Sequence, residues 1–120
     1  MSDPIKNKNI ALGVTGSIAS YKAADLASKL TQLGAMVDVT MTKGATNFLK
    51  PLTFQSITNR PVITDMFATN AESSIDHVAI AQRADIVAVV PSTAHTMAKL
   101  AYGLADNALT ATILATRSPV

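Results

Sequence analysis

One short segment restricts the possible folds of this 120-residue chain more than any other: "NIALGVTGSIASYK" at residues 9–22. It starts with an apolar run, typical of a buried parallel strand, that leads into a turn containing Gly13 and Gly16. Apolar residues then recur with a helical period up to Gly34, which stands where a helix C-terminal cap belongs. A second strand is predicted at residues 35–42, so the segment begins a right-handed βαβ unit.

The following segments continue the alternation of strands and helices. Residues 43–58 predict two short helical pieces divided at Pro51, because proline cannot continue the helical hydrogen-bond ladder. A short strand at 61–67 and a short helix precede the apolar, β-branched strand at 85–91, and a helix interrupted near Gly103 follows it. This order predicts an α/β fold with an open parallel sheet and helices on both faces, three layers in all.

Composition excludes several classes of protein. The 15% of charged and 48% of hydrophobic residues exclude disorder, and no apolar run approaches the roughly 18 residues of a membrane span. A polar start and the absence of cysteine argue against a secretory signal and a disulfide framework, so a cytoplasmic protein is expected. The net charge of +2 is scattered, which argues against nucleic-acid binding. We expect a single domain over residues 1–120, with neither nucleic acid nor membrane as a partner.

The first turn, residues 13–17, matches neither the dinucleotide fingerprint nor the nucleoside triphosphate loop. The second strand ends in Thr42, where an NAD site would place an acidic residue. A hydroxyl there, with backbone amides and Ser17 at a helix start, suits one phosphate group, because helix N-termini carry free N–H donors and partial positive charge. A mononucleotide is therefore favoured over a dinucleotide. The alternative is that Gly13 and Gly16 only allow a tight turn.

A second polar turn, "PSTAHT" at residues 91–96, also follows a strand, at the edge where open α/β sheets bind ligands. Ser92, Thr93, His95 and Thr96 make it a hydroxyl-rich helix start. The carboxyl ends of parallel strands lie at one edge of a sheet, so both turns are expected to line one pocket.

Three segments carry a resemblance to a known family: "TGSIASYKA", "MTKGATNFLKPLTFQSIT" and "DHVAIAQRADIVAVVPSTAHTMAKLAYGLADNALT". In this order and spacing they resemble the homo-oligomeric flavin-containing cysteine decarboxylases, most closely the phosphopantothenoylcysteine decarboxylase domain of coenzyme A biosynthesis. The resemblance covers nearly all of residues 8–120. It implies a Rossmann-like, flavodoxin-like α/β/α flavoprotein that binds FMN.

The resemblance also implies which residues hold the cofactor. The FMN phosphate is expected at the first turn. The family also has a hydroxyl after the second strand, and its P-A-S-A-N-T motif, which contacts flavin and substrate, corresponds to residues 91–96. The implied FMN-binding residues are Gly16, Ser17, Ile18, Thr42, Phe48, Ser92, Thr93 and Ala94. No metal site is implied.

Four further residues are candidates for chemistry or substrate contact. A histidine in the setting of His77 is by itself more often structural, although a pKa near 6.5 suits proton transfer; the resemblance implies that it is catalytic. His95 replaces the family's asparagine, so the hydrogen bonds made there must differ. Asp106 and Asn107, in "GLADNALT", are interpreted as a helix-break cap rather than as reacting groups.

The implied reaction is an oxidative decarboxylation of 4′-phosphopantothenoylcysteine. FMN takes a hydride equivalent from the cysteine side chain, CO₂ leaves, and the reduced flavin returns the electrons to give 4′-phosphopantetheine; the protein positions the cofactor and manages protons. Implied partners are this small-molecule substrate, further copies of the chain in trimers or multiples of trimers with FMN at the subunit interface, and a fused or separate phosphopantothenoylcysteine synthetase domain.

Residues 117–120 predict the start of another strand, after which the family has a P-x-M-N-x-x-M-W motif and a cysteine. The C-terminal part of the fold is therefore expected to be missing, and 120 residues alone are expected to bind FMN weakly without decarboxylation. Four alternatives stay open: a peptidyl-cysteine decarboxylase, a flavin prenyltransferase, a non-enzymatic flavoprotein subunit that binds a partner, and a domain for another phosphorylated small molecule.

Overall fold

The computed structural model describes residues 4–64 and 77–120. In chain order the elements are β1 Asn9–Val14, α1 Ser20–Gln32, β2 Met36–Met41, a 3-10 turn at Ala45–Asn47, α2 Pro51–Thr58, α3 His77–Arg83, β3 Ile86–Val89, α4 Ala94–Tyr102 and α5 Ala108–Ala115. The strands form one parallel sheet in the order β2-β1-β3, which confirms the α/β prediction. None of the described helices is long and apolar enough to span a membrane.

Helices cover both faces of this sheet, because successive residues of a strand point to opposite sides. On one face Leu12 and Val39 belong to a core that includes Ala27 of α1 and Phe54 of α2. On the other face Ala11 packs with residues of α3 and β3 and with part of α5. The three-layer arrangement predicted from the sequence is therefore confirmed.

The ends of the first two helices follow from local chemistry. The predicted α1 start near Ser17 was three residues early, since α1 begins at Ser20. Gly34 has a φ of 91°, and its N–H donates to the Thr31 carbonyl, as expected of a C-terminal cap. Pro51 is in the first turn of α2, where its missing N–H costs no hydrogen bond.

Short segments pair with the outer strands. The strand predicted at 61–67 is reduced, within the described residues, to a single parallel bridge between Ile63 and Thr40; residues 65–67 and the polar loop predicted at 68–74 lie outside the described residues. On the other side the Val87 N–H donates to the Pro119 carbonyl at 2.8 Å, although residues 117–120, where a strand was predicted to start, do not form one.

A buried ion cluster joins three segments of the chain. Asp38 lies on β2 with a side chain that is 3% exposed. Its carboxylate accepts hydrogen bonds from Arg60 Nη1 at 3.0 Å and from Arg83 Nε at 2.9 Å, and Arg83 Nη2 makes a third. A buried carboxylate is tolerated when it is paired and hydrogen-bonded in this way. The cluster holds β2 to the end of α3 and to the segment after α2.

Candidate ligand-binding site

A cavity of about 730 Å³ lies at the carboxyl edge of the sheet. Half of the twelve candidate residues line it: Gly16, Thr42, Thr93, His95, Asp106 and Asn107. The other half are not among its lining residues: Ser17, Ile18, Phe48, His77, Ser92 and Ala94. Residues that were not among the candidates also line it: Lys43, Gly44, Thr46, Thr64, Thr96 and Lys99. The two polar turns expected to share one pocket are therefore brought together.

The first turn is held by serine hydroxyls. The Ser20 hydroxyl accepts the Ser17 N–H at 3.1 Å, and its one proton is shared between the carbonyls of Ser17, at 2.7 Å, and Thr15, at 2.8 Å. The Ser17 hydroxyl in turn accepts the Ala19 N–H at 3.0 Å. The Ser17 amide is thus already used inside the protein. Among the described residues no acceptor bonds the amides of Gly16 and Ile18, so these two N–H groups and the Ser17 hydroxyl proton are what the turn offers to a ligand.

The two glycines near this turn are required for space rather than for conformation. Neither has a positive φ. A Cβ on Gly16 would lie 2.5 Å from the carbonyl carbon of Gly44 and 2.7 Å from its oxygen, so the first turn and the turn after β2 touch backbone to backbone. A Cβ on Gly13 would lie 2.8 Å from Leu109 Cδ1, so that glycine makes room for α5. Gly16 therefore belongs to the cavity wall, and Gly13 to the packing behind it.

Thr42 connects the end of β2 to the cavity. Its N–H donates to the Val14 carbonyl at 3.0 Å, continuing the pairing of β2 with β1. Its hydroxyl oxygen accepts the Ala45 N–H at 3.2 Å and so caps the 3-10 turn. The hydroxyl proton remains available as a donor toward the cavity.

The second polar turn begins α4. The Thr93 hydroxyl accepts the Thr96 N–H at 3.2 Å, which makes Thr93 the N-cap. The Thr93 N–H donates at 3.0 Å to the hydroxyl of Thr15, a buried residue at the end of β1. His95 lies exposed in the first turn of α4, on the cavity wall.

The break between α4 and α5 closes another side of the cavity. Lys99 Nζ lies 3.1 Å from each carboxylate oxygen of Asp106. Asn107 caps α5: its side chain accepts the Thr110 N–H at 2.8 Å, and the Thr110 hydroxyl accepts the Asn107 N–H at 3.3 Å. Asn107 has the cap role expected of it, while Asp106 is a partner of Lys99.

The lining favours an anionic ligand. Lys43 and Lys99 bring two positive charges and Asp106, which is paired with Lys99, brings one negative charge, so these three side chains leave one net positive charge. Hydroxyls of threonine and the amides of the first turn add hydrogen-bond donors. The described residues contain no group of three or more His, Cys, Asp or Glu that could hold a metal ion.

His77 and Phe48 lie apart from the cavity lining. His77 is the first residue of α3 and is half-buried. Because α3 leads into the parallel strand β3, its start is at the carboxyl edge of the sheet, the edge that carries the cavity. Phe48 follows the 3-10 turn and is half exposed. The remainder of the I-x-H setting, residues 75–76, lies outside the described residues.

Two known proteins with similar sequences are named for coenzyme A biosynthesis and for phosphopantothenoylcysteine decarboxylation, respectively. The chain is 47% identical over 116 residues to the coenzyme A biosynthesis bifunctional protein CoaBC of Bacillus subtilis, covering 97% of this chain and 29% of that protein. It is 45% identical over 108 residues to the probable phosphopantothenoylcysteine decarboxylase of Streptococcus mutans, covering 90% of this chain and 60% of that protein. The chain thus spans less than two thirds of the length of either relative.

Solved structures of cysteine decarboxylases and one family model also match this chain. The FMN-dependent cysteine decarboxylase SpaF superposes with a TM-score of 0.84 at 29% identity, covering 96% of this chain and 66% of that one. A PPC decarboxylase mutant complexed with pantothenoylaminoethenethiol superposes with a TM-score of 0.74 at 27% identity, covering 93% and 62%. The Flavoprotein family model matches residues 1–120. Because the match spans the whole chain, this protein belongs to the Flavoprotein family.

Proposed function

We propose that this chain is the FMN-binding part of a phosphopantothenoylcysteine decarboxylase, which removes CO₂ from 4′-phosphopantothenoylcysteine in coenzyme A biosynthesis. The observation that carries the proposal is the cavity at the sheet edge, where the first turn, Thr42 and the start of α4 meet. The relatives from B. subtilis and S. mutans, both named for this pathway, support the choice of substrate.

The residues present fit FMN. A volume of about 730 Å³ is within the usual range of small-molecule sites, roughly 300–1,000 Å³. The phosphate is assigned to the amides of Gly16 and Ile18 and the hydroxyls of Ser17 and Thr42, close to the N-terminus of α1. Any side chain at position 16 would collide with the backbone of Gly44, so the close approach of the two turns depends on glycine at this position.

The rest of the cofactor is assigned to the second polar turn and to Phe48. Ser92 and Thr93 precede α4 and Ala94 begins it, and Phe48, a half-exposed residue outside the cavity lining, is proposed to approach the flavin ring. His95 offers an imidazole N–H where the family has an asparagine amide, and it is proposed to donate a hydrogen bond there. When bound, FMN supplies the two-electron redox chemistry that makes loss of the carboxylate possible.

The residues of this chain handle protons and orientation. His77 is proposed as the catalytic histidine that holds or moves a proton at a ring nitrogen, which its place at the carboxyl edge of the sheet supports. Lys43 and Lys99 attract anionic groups into the cavity.

We also propose that the chain works in the cytoplasm as a trimer or a multiple of trimers, and with a synthetase domain, fused or separate. Large apolar side chains on and after α4 are exposed, among them Met97, Leu104 and Tyr102, which is 84% exposed. Exposed apolar side chains in one region are typical of a protein interface. The bifunctional relative supports the synthetase partner.

A second candidate is decarboxylation of another cysteine-containing substrate. The structural match to SpaF, with a TM-score of 0.84, is higher than the 0.74 of the match to the PPC decarboxylase mutant. CO₂ release from phosphopantothenoylcysteine and from a peptide with a C-terminal cysteine, compared on the same preparation, separates the two candidates.

Binding of FMN and of riboflavin, measured by equilibrium dialysis and gel filtration, tests the cofactor assignment. We expect riboflavin to bind at least about tenfold more weakly than FMN, because it lacks the phosphate. Equal affinity for the two compounds contradicts the phosphate assignment.

A further inference from the structure

A buried hydroxyl joins the two turns that form the cavity. Thr15 follows β1 directly and is 1% exposed. Its N–H and its hydroxyl both donate to the Pro91 carbonyl, at 3.3 Å and 2.5 Å. The hydroxyl oxygen accepts the Thr93 N–H at 3.0 Å. One side chain therefore bonds to both sides of the second turn.

Each neighbour of Thr15 is itself fixed to a part of the cavity. Gly16, the next residue, is in backbone contact with Gly44 of the turn after β2. Thr93, whose N–H donates to the Thr15 hydroxyl, is the N-cap of α4. A displacement of the Thr15 hydroxyl would therefore change the distance between the first turn and the start of α4.

We propose that Thr15 is a positioning residue that sets the spacing of the two cofactor turns through its hydroxyl. The inference rests on the proposed FMN function and assigns a role to a residue for which neither turn motif shows a function. Thr15 acts through Thr93 and Pro91, and it is not among the residues that line the cavity. Its hydroxyl uses its one proton toward Pro91 and a lone pair toward Thr93, so no apolar side chain of the same shape can replace it.

The test compares five proteins: wild type, Thr15→Val, Thr15→Ala, Thr15→Ser and Thr112→Val. Thr112 is a matched control, because its buried hydroxyl donates at 2.7 Å only to the Ala108 carbonyl of its own helix. FMN affinity and the hydrogen-exchange rate of the Thr93 amide, by NMR, are measured for each. The second measurement needs no cofactor.

We expect Thr15→Val to weaken FMN binding by about tenfold or more and to speed exchange at Thr93 by a similar factor, as loss of one buried hydrogen bond implies. Thr15→Ser keeps the hydroxyl and should stay within about threefold of wild type, as should Thr112→Val. The rescue by serine separates positioning from mere packing.

Three results overturn the inference. The first is unchanged Thr93 exchange in Thr15→Val; the second is equal loss of FMN affinity in Thr15→Val and Thr112→Val. The third is failure of both Thr15→Val and a Thr15→Ala variant to fold, which makes Thr15 a folding residue. Wild-type protein that binds no FMN instead contradicts the proposed function, and the Thr93 exchange rate still decides whether Thr15 holds that amide.

Discussion

Gly16 shows how much of the site depends on a single absent side chain. Its backbone contacts that of Gly44, and no flexible side chain lies between them to absorb a change. The contact is asymmetric: a Cβ on Gly44 would meet only ordinary van der Waals neighbours, the nearest at 3.7 Å, and Gly44 has a φ of −61° that suits any residue. The two glycines are thus not equivalent.

Gly16→Ala is expected to lower the free energy of unfolding by about 1–3 kcal/mol, because backbone must move to accept the new methyl group. Gly44→Ala is the matched control and should stay within about 0.5 kcal/mol of wild type. Urea denaturation without cofactor measures both. An equal effect of the two substitutions would contradict the asymmetry.

At the residue scale, the sequence predicts a site residue only where its role follows from its neighbours in the chain. Gly16, Thr42 and Thr93 could be found because each follows a strand, at the edge where ligands bind. Thr15 was missed because its partners are 76 and 78 residues away in the chain. Lys99 could have been found, since it lies four residues after His95 and hence on the same helix face.

At the scale of elements, the packing of α5 on β1 depends on Gly13. Leu109 of α5 is buried over this glycine, and the Cβ that alanine would add lies 2.9 Å from Leu109 Cγ. The sequence predicts the helices and the strands but not this contact, because helix periodicity does not say which strand residue a helix covers.

A double-mutant cycle measures the contact. Gly13→Ala should destabilise by about 1–3 kcal/mol and Leu109→Ala by about 2–5 kcal/mol. The double variant should lose less than the sum, by about 0.5–3 kcal/mol, because the new methyl group enters the space that Leu109 leaves. Additive losses, determined by urea denaturation, would show that the two side chains do not compete for this space.

The ion cluster around Asp38 gives a second prediction at this scale. Arg83 makes two of the three hydrogen bonds and Arg60 makes one, and both arginine side chains are partly exposed. Allowing for that exposure, Arg83→Met should cost about 2–3 kcal/mol and Arg60→Met about 1 kcal/mol. Lys29→Met, which removes an exposed pair with Asp25, is the control and should leave the free energy of unfolding close to that of wild type, because exposed ion pairs contribute little.

Thermal and urea denaturation of the three methionine variants measures this order of effects. Equal losses of stability for Arg83→Met and Lys29→Met would contradict this prediction, because the Asp38 cluster would then contribute no more than an exposed ion pair. The sequence could not predict the cluster, because Asp38 pairs with arginines 22 and 45 residues further along the chain.

At the scale of the whole molecule, the class of fold was predicted from the alternation of apolar strands and amphipathic helices, and the structure confirms it. The proposed assembly is argued from a different feature, the apolar side chains left exposed on and after α4. Sequence alone does not reveal them as exposed, because their spacing is the same as that of buried residues.

The proposed trimer gives the prediction at this scale. Tyr102→Glu should shift the protein to a monomer in sedimentation velocity, because a charge placed in an apolar interface must be desolvated. Leu33→Glu changes an exposed leucine directly after α1, outside the exposed region on and after α4, and should leave the assembly unchanged. A wild-type protein that sediments as a monomer at micromolar concentration contradicts the proposed assembly.

The segments that pair with the outer strands also bear on solubility. Ile63 donates to Val39 and accepts from Met41 beside β2, and Pro119 accepts from Val87 beside β3. Free N–H and C=O groups along an outermost strand recruit strands from other molecules and so seed fibrils. Since some of these groups are occupied on both sides, this sheet is partly protected from growing by addition of foreign strands.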